Sequence, residues 1–350
     1  MKRKTVAVLF GGQSEEYEIS LQSAHSIIES LDSEKYLVIP LGITRDGRWL
    51  KYDGDIDRIR DDSWSESDFC APAVISPDRY THGILVSDGD RTTTLPLDAA
   101  FPVLHGKNGE DGSVQGLLSI AGIPCVGCGI LSSALCMDKD AAHKLVRAAG
   151  VKTPDAVVLD APASDSELAD RTSSLRYPLF VKPVNAGSSF GITKIENPSE
   201  LAEAARLAFR YDRKAIIEEA IDGFEVGCAV LGNETLTVGE VDEIELSHGF
   251  FDYADKYTNR TSKIHMPARI DADTASRIKR AAAVIYRALD CRGFARVDMF
   301  LTSGNEIVFN EVNTIPGFTY QSRYPNMLKG IGMTFAQIAD RLIELATEES

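Results

Sequence analysis

A parallel, doubly wound α/β unit followed by α+β units is the fold class this sequence predicts, and three observations predict it. The first 43 residues run strand, helix, strand, the order of a parallel unit. The middle of the chain mixes strands and helices, with a Gly/Ser turn after a strand-ending lysine. The C-terminal third carries a long helix and then a β-hairpin. A chain of 350 residues is long enough for two or three domains of ~100–200 residues each.

The elements follow in order. Lys4–Phe10 (KTVAVLF) is a short apolar run closed by Gly11-Gly12, which predicts a buried strand and a tight turn. Ser20–Leu31 has helical periodicity with Ser20 as the expected N-cap. Leu37–Ile43 and Ala99–Leu104 are further strands, and Gln115–Ala121 is a helix closed by Gly122. Tyr177–Lys182 is a strand leading into the turn Asn185–Gly191 and a second short strand; Ser199–Arg210 is a helix; Ala215–Glu219 and Phe224–Leu231 are strands. Ala272–Leu289 is a helix, and Phe294–Leu301 and Glu306–Val312 form a hairpin around Thr302–Asn305. Thr334–Thr347 places Phe335, Ile338, Leu342 and Leu345 on one helical stripe, which faces a core. Residues 53–68 hold seven acidic side chains and predict a solvated surface excursion. Residues 160–175 predict a loop leading into a surface helix.

Composition narrows the function. Hydrophobic residues make up 44% and charged residues 25%, an ordinary globular balance. Lys plus Arg is 37 against 52 Asp plus Glu, a net charge of −15. A chain so acidic and without a basic block is not built to bind nucleic acid by bulk charge. No apolar run approaches the ~20 residues that span a bilayer, and the N-terminal apolar run is too short for a signal peptide, so no membrane partner and a cytoplasmic location are expected. Cys125 and Cys128 form a Cys-x-x-Cys, but no second pair at metal spacing accompanies them. The six cysteines are expected to be reduced, buried thiols.

The hairpin is the strongest chemical signal. Arg296 and Asp298 share one face of the first strand, and Glu311 and Asn313 share one of the second, because side chains alternate. Three oxygen ligands beside an arginine suit Mg²⁺, which completes its shell with water and substrate phosphates. Lys182 precedes a loop of small residues in which backbone N–H groups can approach phosphate. The lysine comes before the loop, so this is not a Walker A sequence. Lys139 stands just before a helix. Glu15 and Glu16 lie near a helix N-terminus, where they stabilise the dipole or receive a substrate ammonium. His105 opens HGKNGEDG at a strand's carboxyl end, where open α/β sheets bind ligands. Gly11–Ser14 does not match G-x-G-x-x-G, so a nicotinamide function is not indicated.

Seven pieces occur in the order of one known family: GGQSEEYEIS (11–20), HGKNGEDG (105–112), MDK (137–139), VKP with GSSFG (181–191), DYADKY (252–257), RVDMF (296–300) and NEVNTIPGFT (310–319). On these the chain resembles the D-alanine–D-alanine ligases over nearly its whole length, the acidic stretch near 50–95 excepted. The resemblance implies the ATP-grasp fold. Its parts would be an N-terminal Rossmann-like substrate domain (1–124), a central subdomain (125–221) and a C-terminal subdomain (222–350) with a lid near 248–266. The segments SSALCMDKDAAHKLV, TSKIHMPARID and SRYPNM resemble the vancomycin-resistance ligases, especially the D-alanine–D-serine type.

The resemblance also implies roles. Lys139, Lys182, Ser188 and Ser189 would contact the phosphates of ATP, Glu218 and the hinge to Ile221 the adenine, and Glu225 the ribose. Asp298, Glu311 and Asn313 would hold two Mg²⁺ ions, for which Mn²⁺ can substitute. Glu16 would bind the ammonium of the first D-alanine, with His105 near its carboxylate. Arg296 and the Gly317 N–H would stabilise the oxyanion. Ser322 and Arg323 would line the second-substrate pocket with Lys256, and Tyr257 would join Ser188 and Glu16 to close the site. Ester-forming D-lactate enzymes of the family lack the Lys-Tyr pair that this chain keeps as Lys256-Tyr257. Tyr320 stands where relatives usually carry a small serine, which would reshape the pocket. The implied activity is ligation of D-alanine to D-serine, with D-alanine also accepted, for peptidoglycan precursors and vancomycin resistance; a housekeeping D-alanine–D-alanine ligase is the alternative. A homodimer is expected.

Overall fold

The computed structural model describes residues 3–185, 187, 190–246 and 262–348. Among the described residues three sheets organise the chain. The first has seven strands: β1 (Lys4–Gly11), β2 (Tyr36–Ile43), β3 (Trp49–Tyr52), β4 (Cys70–Ile75), β5 (Gly83–Asp88), β6 (Arg91–Pro96) and β7 (Ala99–Pro102), in the order β6-β5-β4-β3-β2-β1-β7. The central strand β1 pairs parallel with β2 and β7, as the strand–helix–strand pattern predicts. The parallel part stops there, because β2 through β6 continue as antiparallel neighbours. Gly11 ends β1 at φ 87°, and a Cβ there would lie 2.1 Å from the Ile43 carbonyl oxygen. Only glycine fits that turn.

Helix α1 (Tyr17–Ser30) packs Tyr17, Leu21, Ala24 and Ile27 against Val6, Val8 and Phe10. It starts at Tyr17, with Glu16 at the capping position, and not after Ser20. The Ser20 hydroxyl turns inward instead, accepting from the Gly11 N–H at 2.8 Å and donating to the Val103 carbonyl. A tertiary partner has taken the hydroxyl from the local capping role expected of it. The acidic stretch also departs from expectation. It contains the short helix α2 (Asp57–Arg60), and Ile59 and Trp64 are wholly buried. Trp64 meets Phe10 edge-on at 4.9 Å and donates its indole N–H to the Tyr17 hydroxyl at 3.2 Å. Two apolar anchors dock a segment whose charges alone suggest solvation.

Helices α3 (Ser113–Ala121), α4 (Ile130–Met137) and α5 (Lys139–Ala148) lead to the second sheet. Asp138 caps α5 by accepting from the Ala141 N–H. The second sheet is antiparallel, in the order β10-β9-β11-β8, from β8 (Ala156–Leu159), β9 (Leu179–Pro183), β10 (Thr193–Ile195) and β11 (Ala215–Glu219). Helices α6 (Asp165–Thr172) and α7 (Leu201–Ala208) bury Leu168, Leu201, Ala204 and Ala208 in its core.

The third sheet is antiparallel too, in the order β14-β13-β12-β15-β16, from β12 (Gly223–Leu231), β13 (Thr237–Leu246), β14 (Ser262–His265), β15 (Phe294–Thr302) and β16 (Ile307–Asn313). Helix α8 (Ala272–Ala288) covers it through Ile278, Ala282 and Ile285. Two helices close the chain, α9 (Arg323–Lys329) and α10 (Phe335–Thr347), the latter opened by a Thr334/Gln337 capping box. The expected stripe of α10 is buried with Val8, Phe101, Phe294, Phe318 and Tyr324 in one cluster. That cluster joins the first sheet to the C-terminal elements, so the groups each carries meet at a fixed seam. All six cysteines are free thiols, four of them buried.

Candidate active site

At the seam lies a cleft of about 650 Å³. The structure brings ten of the expected residues to its wall: Glu16, His105, Glu225, Arg296, Asp298, Glu311, Asn313, Gly317, Ser322 and Arg323. Lys139, Lys182 and Glu218 are placed in a neighbouring cluster, and Ile221 is half-buried in the link between β11 and β12. Ser188, Ser189, Lys256 and Tyr257 lie outside the described residues.

The hairpin forms the floor. Arg296 on β15 pairs with Asn313 on β16, and Asp298 with Glu311, so the alternation expected from sequence puts all four side chains on one face. Arg296 clamps Asp298 through Nε at 3.0 and 2.9 Å and Nη2 at 2.8 Å, and the Asn313 amide donates to Asp298 at 2.9 Å. Burial works against the Arg296 charge, but Asp298 outweighs it and holds the guanidinium protonated beyond its usual range. Two carboxylates and a carboxamide are the hard oxygen donors that Mg²⁺ takes. Among the described residues no group of three or more His, Cys, Asp or Glu side chains could hold a metal. An ion on this floor would therefore draw further ligands from substrate phosphates, as Mg²⁺ commonly does.

Arg323, the first residue of α9, reaches over the same floor. Its guanidinium donates to both oxygens of Asp242 at 2.7 and 2.8 Å, to Glu225 at 3.2 Å, and lies 3.3 Å from Asp298. Asp242 is fully buried and escapes the sequence analysis, because its segment VGEVDEIEL resembles a solvated, alternating strand. Register reveals it: Asp242, Gly227 and Asp298 stand side by side on β13, β12 and β15. Gly227 leaves the space that the guanidinium fills; a Cβ there would lie 2.3 Å from Arg323 Nη2. Tyr320 lines the same end of the cleft and stacks on Phe335 at 4.4 Å. Ser322 Oγ accepts from the Thr319 N–H at 2.9 Å.

The neighbouring cluster centres on Glu218 at the end of β11. Lys182 Nζ lies 2.6 Å from Glu218 Oε2, and His143 Nε2 3.6 Å from Oε1. Burial raises the Glu218 pKa, but Lys182, His143 and Lys139 together hold it below the ordinary carboxylate value. His143, a residue the sequence did not mark, is pushed down by burial. Glu218 Oε1 has no hydrogen-bond partner among the described residues. A buried acceptor left open in this way suits a ligand's donor group.

On the opposite wall, His105 Nδ1 bonds the Ile315 carbonyl at 2.8 Å, and burial lowers its pKa. Glu110, also unmarked in the sequence, accepts from the Gly106 and Ile315 N–H groups at 2.8 and 3.0 Å. Burial and then the Glu16 charge push it up to about 8.

An antiparallel sheet with a carboxylate floor, a second antiparallel sheet with a lysine and an acceptor, and a partly parallel unit facing the first across a cleft fit the ATP-grasp architecture that the resemblance implies. Comparison with known proteins specifies the group. The description "D-ala D-ala ligase N-terminus" matches residues 5–128, and "D-ala D-ala ligase C-terminus" matches 145–344. A putative D-alanine–D-lactate ligase of Streptomyces coelicolor is 46% identical, covering 99% of this chain and 98% of its own. A D-alanine–D-alanine ligase of Caldicellulosiruptor bescii is 45% identical, covering 100% and 97%. The crystal structure of VanG D-Ala:D-Ser ligase from Enterococcus faecalis superposes with a TM-score of 0.92 at 55% identity, covering 99% and 100%. The chain belongs to the D-alanine–D-alanine ligase family. Among the described residues no helix is long and apolar enough to cross a membrane.

Proposed function

We propose that this protein joins D-alanine to D-serine, and also to D-alanine, using ATP and Mg²⁺ and passing through a D-alanyl phosphate. The observation taken to support the D-serine preference is Arg323, held by Asp242 and lining one cleft with Ser322 and Tyr320. A pocket whose polar groups expect a hydroxyl discriminates against the substrate lacking one far better than an apolar pocket rejects an added group. The similarity to a D-Ala:D-Ser ligase at 55% identity supports the same preference, and kinship to a putative D-lactate ligase does not weigh against it, since this chain keeps Lys256-Tyr257.

In this reading Lys139 and Lys182 hold the phosphates of ATP with Ser188 and Ser189. The open oxygen of Glu218 accepts the adenine amine near Ile221, and Glu225 meets the ribose. Asp298, Glu311 and Asn313 would hold Mg²⁺, whose charge would offset that of the phosphates. Glu16 receives the ammonium of the first D-alanine, and that D-alanine's own carboxylate takes the γ-phosphoryl group as ADP leaves. The amine of the second substrate, its carboxylate held by Ser322, then attacks the acyl carbon; the acyl–oxygen bond breaks, and inorganic phosphate and the amine's proton leave. Arg296 and the Gly317 N–H receive the oxyanion, where one donor is typically worth about 3–4 kcal/mol. Water must be excluded to protect the acyl phosphate. The three sheets support division at 1–124, 125–221 and 222–350, and we take the enzyme to be a cytoplasmic homodimer serving cell-wall precursor synthesis.

The test is ADP release in mixtures of ATP and Mg²⁺ with D-alanine, alone or with D-serine, and identification of the dipeptide by mass spectrometry. Release that requires D-alanine and yields a dipeptide is expected. ATP turnover indifferent to D-amino acids would refute the reading.

A further inference from the structure

The loop that would supply the oxyanion donor has no regular structure of its own. After β16 the chain runs Thr314–Phe318, and Thr314, Ile315 and Phe318 are buried. Backbone polar groups in such a segment need partners from elsewhere. The Ile315 N–H donates to Glu110 Oε1 at 3.0 Å, its carbonyl receives His105 Nδ1 at 2.8 Å, and the Phe318 N–H donates to Ser23 Oγ at 3.1 Å. Pro316 has no N–H to offer. The partners come from α1 and the loop after β7, more than two hundred residues away in sequence. They bracket Gly317, whose own N–H has no partner among the described residues.

The bonds are mutually consistent. With Nδ1–H directed at Ile315, His105 Nε2 is an acceptor, and it faces the Ser23 hydroxyl at 3.5 Å. Ser23 can thus accept from Phe318 while donating to His105, a neutral imidazole serving both ends. Glu110 is fixed by its second oxygen, which accepts from the Gly106 N–H at 2.8 Å. One carboxyl group therefore ties the turn at 106 to the loop at 315.

Resting on the ligase reading above, we propose that Glu110 is a positioning residue for acyl transfer. With His105 and Ser23 it sets the direction of the Gly317 N–H, so that the N-terminal unit, and not the hairpin alone, aims the oxyanion donor. His105 then acts through Ile315 as well as through any contact with the first D-alanine. Ionised, Glu110 gives each of the two N–H groups an acceptor oxygen, whereas an amide has one, so Glu110→Gln must leave either Gly106 or Ile315 facing an NH₂ group. The donor's aim is lost while the nucleotide and metal groups are untouched.

The experiment compares wild type, Glu110→Gln and Ser23→Ala, the last a milder cut that removes the Phe318 acceptor and the hydroxyl facing His105. Three quantities are measured: kcat for ligation, KM for ATP, and the inhibition constant of a phosphinate dipeptide analogue whose P–O⁻ occupies the oxyanion position. The expected result is a tenfold or greater fall in kcat for Glu110→Gln, with a parallel weakening of the phosphinate and KM for ATP within threefold. A threefold or greater parallel loss is expected for Ser23→Ala, which decides the matter if Glu110→Gln does not fold. Loss of kcat without loss of phosphinate affinity, or loss confined to the KM for ATP, overturns the proposal. Failure of the ligase reading looks different: wild type itself makes no dipeptide, and the proposal falls with it.

Discussion

Replacing Gly227 with alanine adds one methyl group to a central strand, and glycine costs a strand or helix interior roughly 0.5–1 kcal/mol relative to alanine. On propensity alone the variant should be more stable. The structure predicts the reverse. The new Cβ would lie 2.3 Å from Arg323 Nη2, 2.7 Å from Asp242 Oδ1 and 2.8 Å from the Met327 methyl. The tips of long side chains normally step aside, but this guanidinium is pinned between Asp242, Glu225 and Asp298, and its side chain is only 9% exposed. Moving it breaks one or two charge-assisted hydrogen bonds, each worth about 1.5–3 kcal/mol. Set against the propensity gain, a net loss of about 0.5–5.5 kcal/mol follows, or roughly 2- to 8,000-fold in an equilibrium or rate constant at about 1.4 kcal/mol per decade. The assay is kcat/KM for D-serine at saturating ATP and D-alanine, with the melting temperature taken in parallel. A Gly227→Ala enzyme with unchanged kcat/KM for D-serine and a raised melting temperature would refute the reasoning.

Other perturbations separate the remaining groups. Glu311→Ala should abolish ligation while leaving the melting temperature near wild type, since the residue faces the cleft; wild-type turnover would remove the metal assignment. Glu218 carries a lowered pKa, so its stabilising contribution is complete above its ordinary value of 4.5 and is lost as pH falls through the folded value. Glu218→Gln should therefore flatten the acid limb of melting temperature against pH, and an unchanged limb would contradict the ion-pair account. Trp64→Ala should cost about 3–5 kcal/mol in urea unfolding, as for other buried aromatics; a change within about 0.5 kcal/mol, typical of solvated surface, would restore the view of this stretch as an excursion.

What could be read from sequence follows a physical division. The hairpin was legible because alternation and a short turn fix which side chains share a face, and Arg296 and Asp298 duly stand opposite Asn313 and Glu311. The α10 stripe was legible for the same reason, with a period of 3.6 in place of 2. The Asp242–Gly227–Arg323 arrangement was not, because it needs the register of three strands whose members lie far apart in the chain. Glu110 and Ser23 escape for a similar reason: each looks like an ordinary loop or helix residue until the loop at 315–318 is folded against it. Ser20 shows local propensity yielding to a tertiary hydrogen bond, and Trp64 shows one buried ring outweighing a run of neighbouring charges.

Competition for the second site is the most direct test of the central claim. The enzyme is given ATP, Mg²⁺ and D-alanine with equal concentrations of D-serine and D-lactate, and all products are quantified by mass spectrometry. A pocket built around the fixed Arg323 guanidinium predicts that D-alanyl-D-serine dominates, with D-alanyl-D-alanine as the minor product. Dominance of D-alanyl-D-alanine, or of the D-lactate ester, would contradict it.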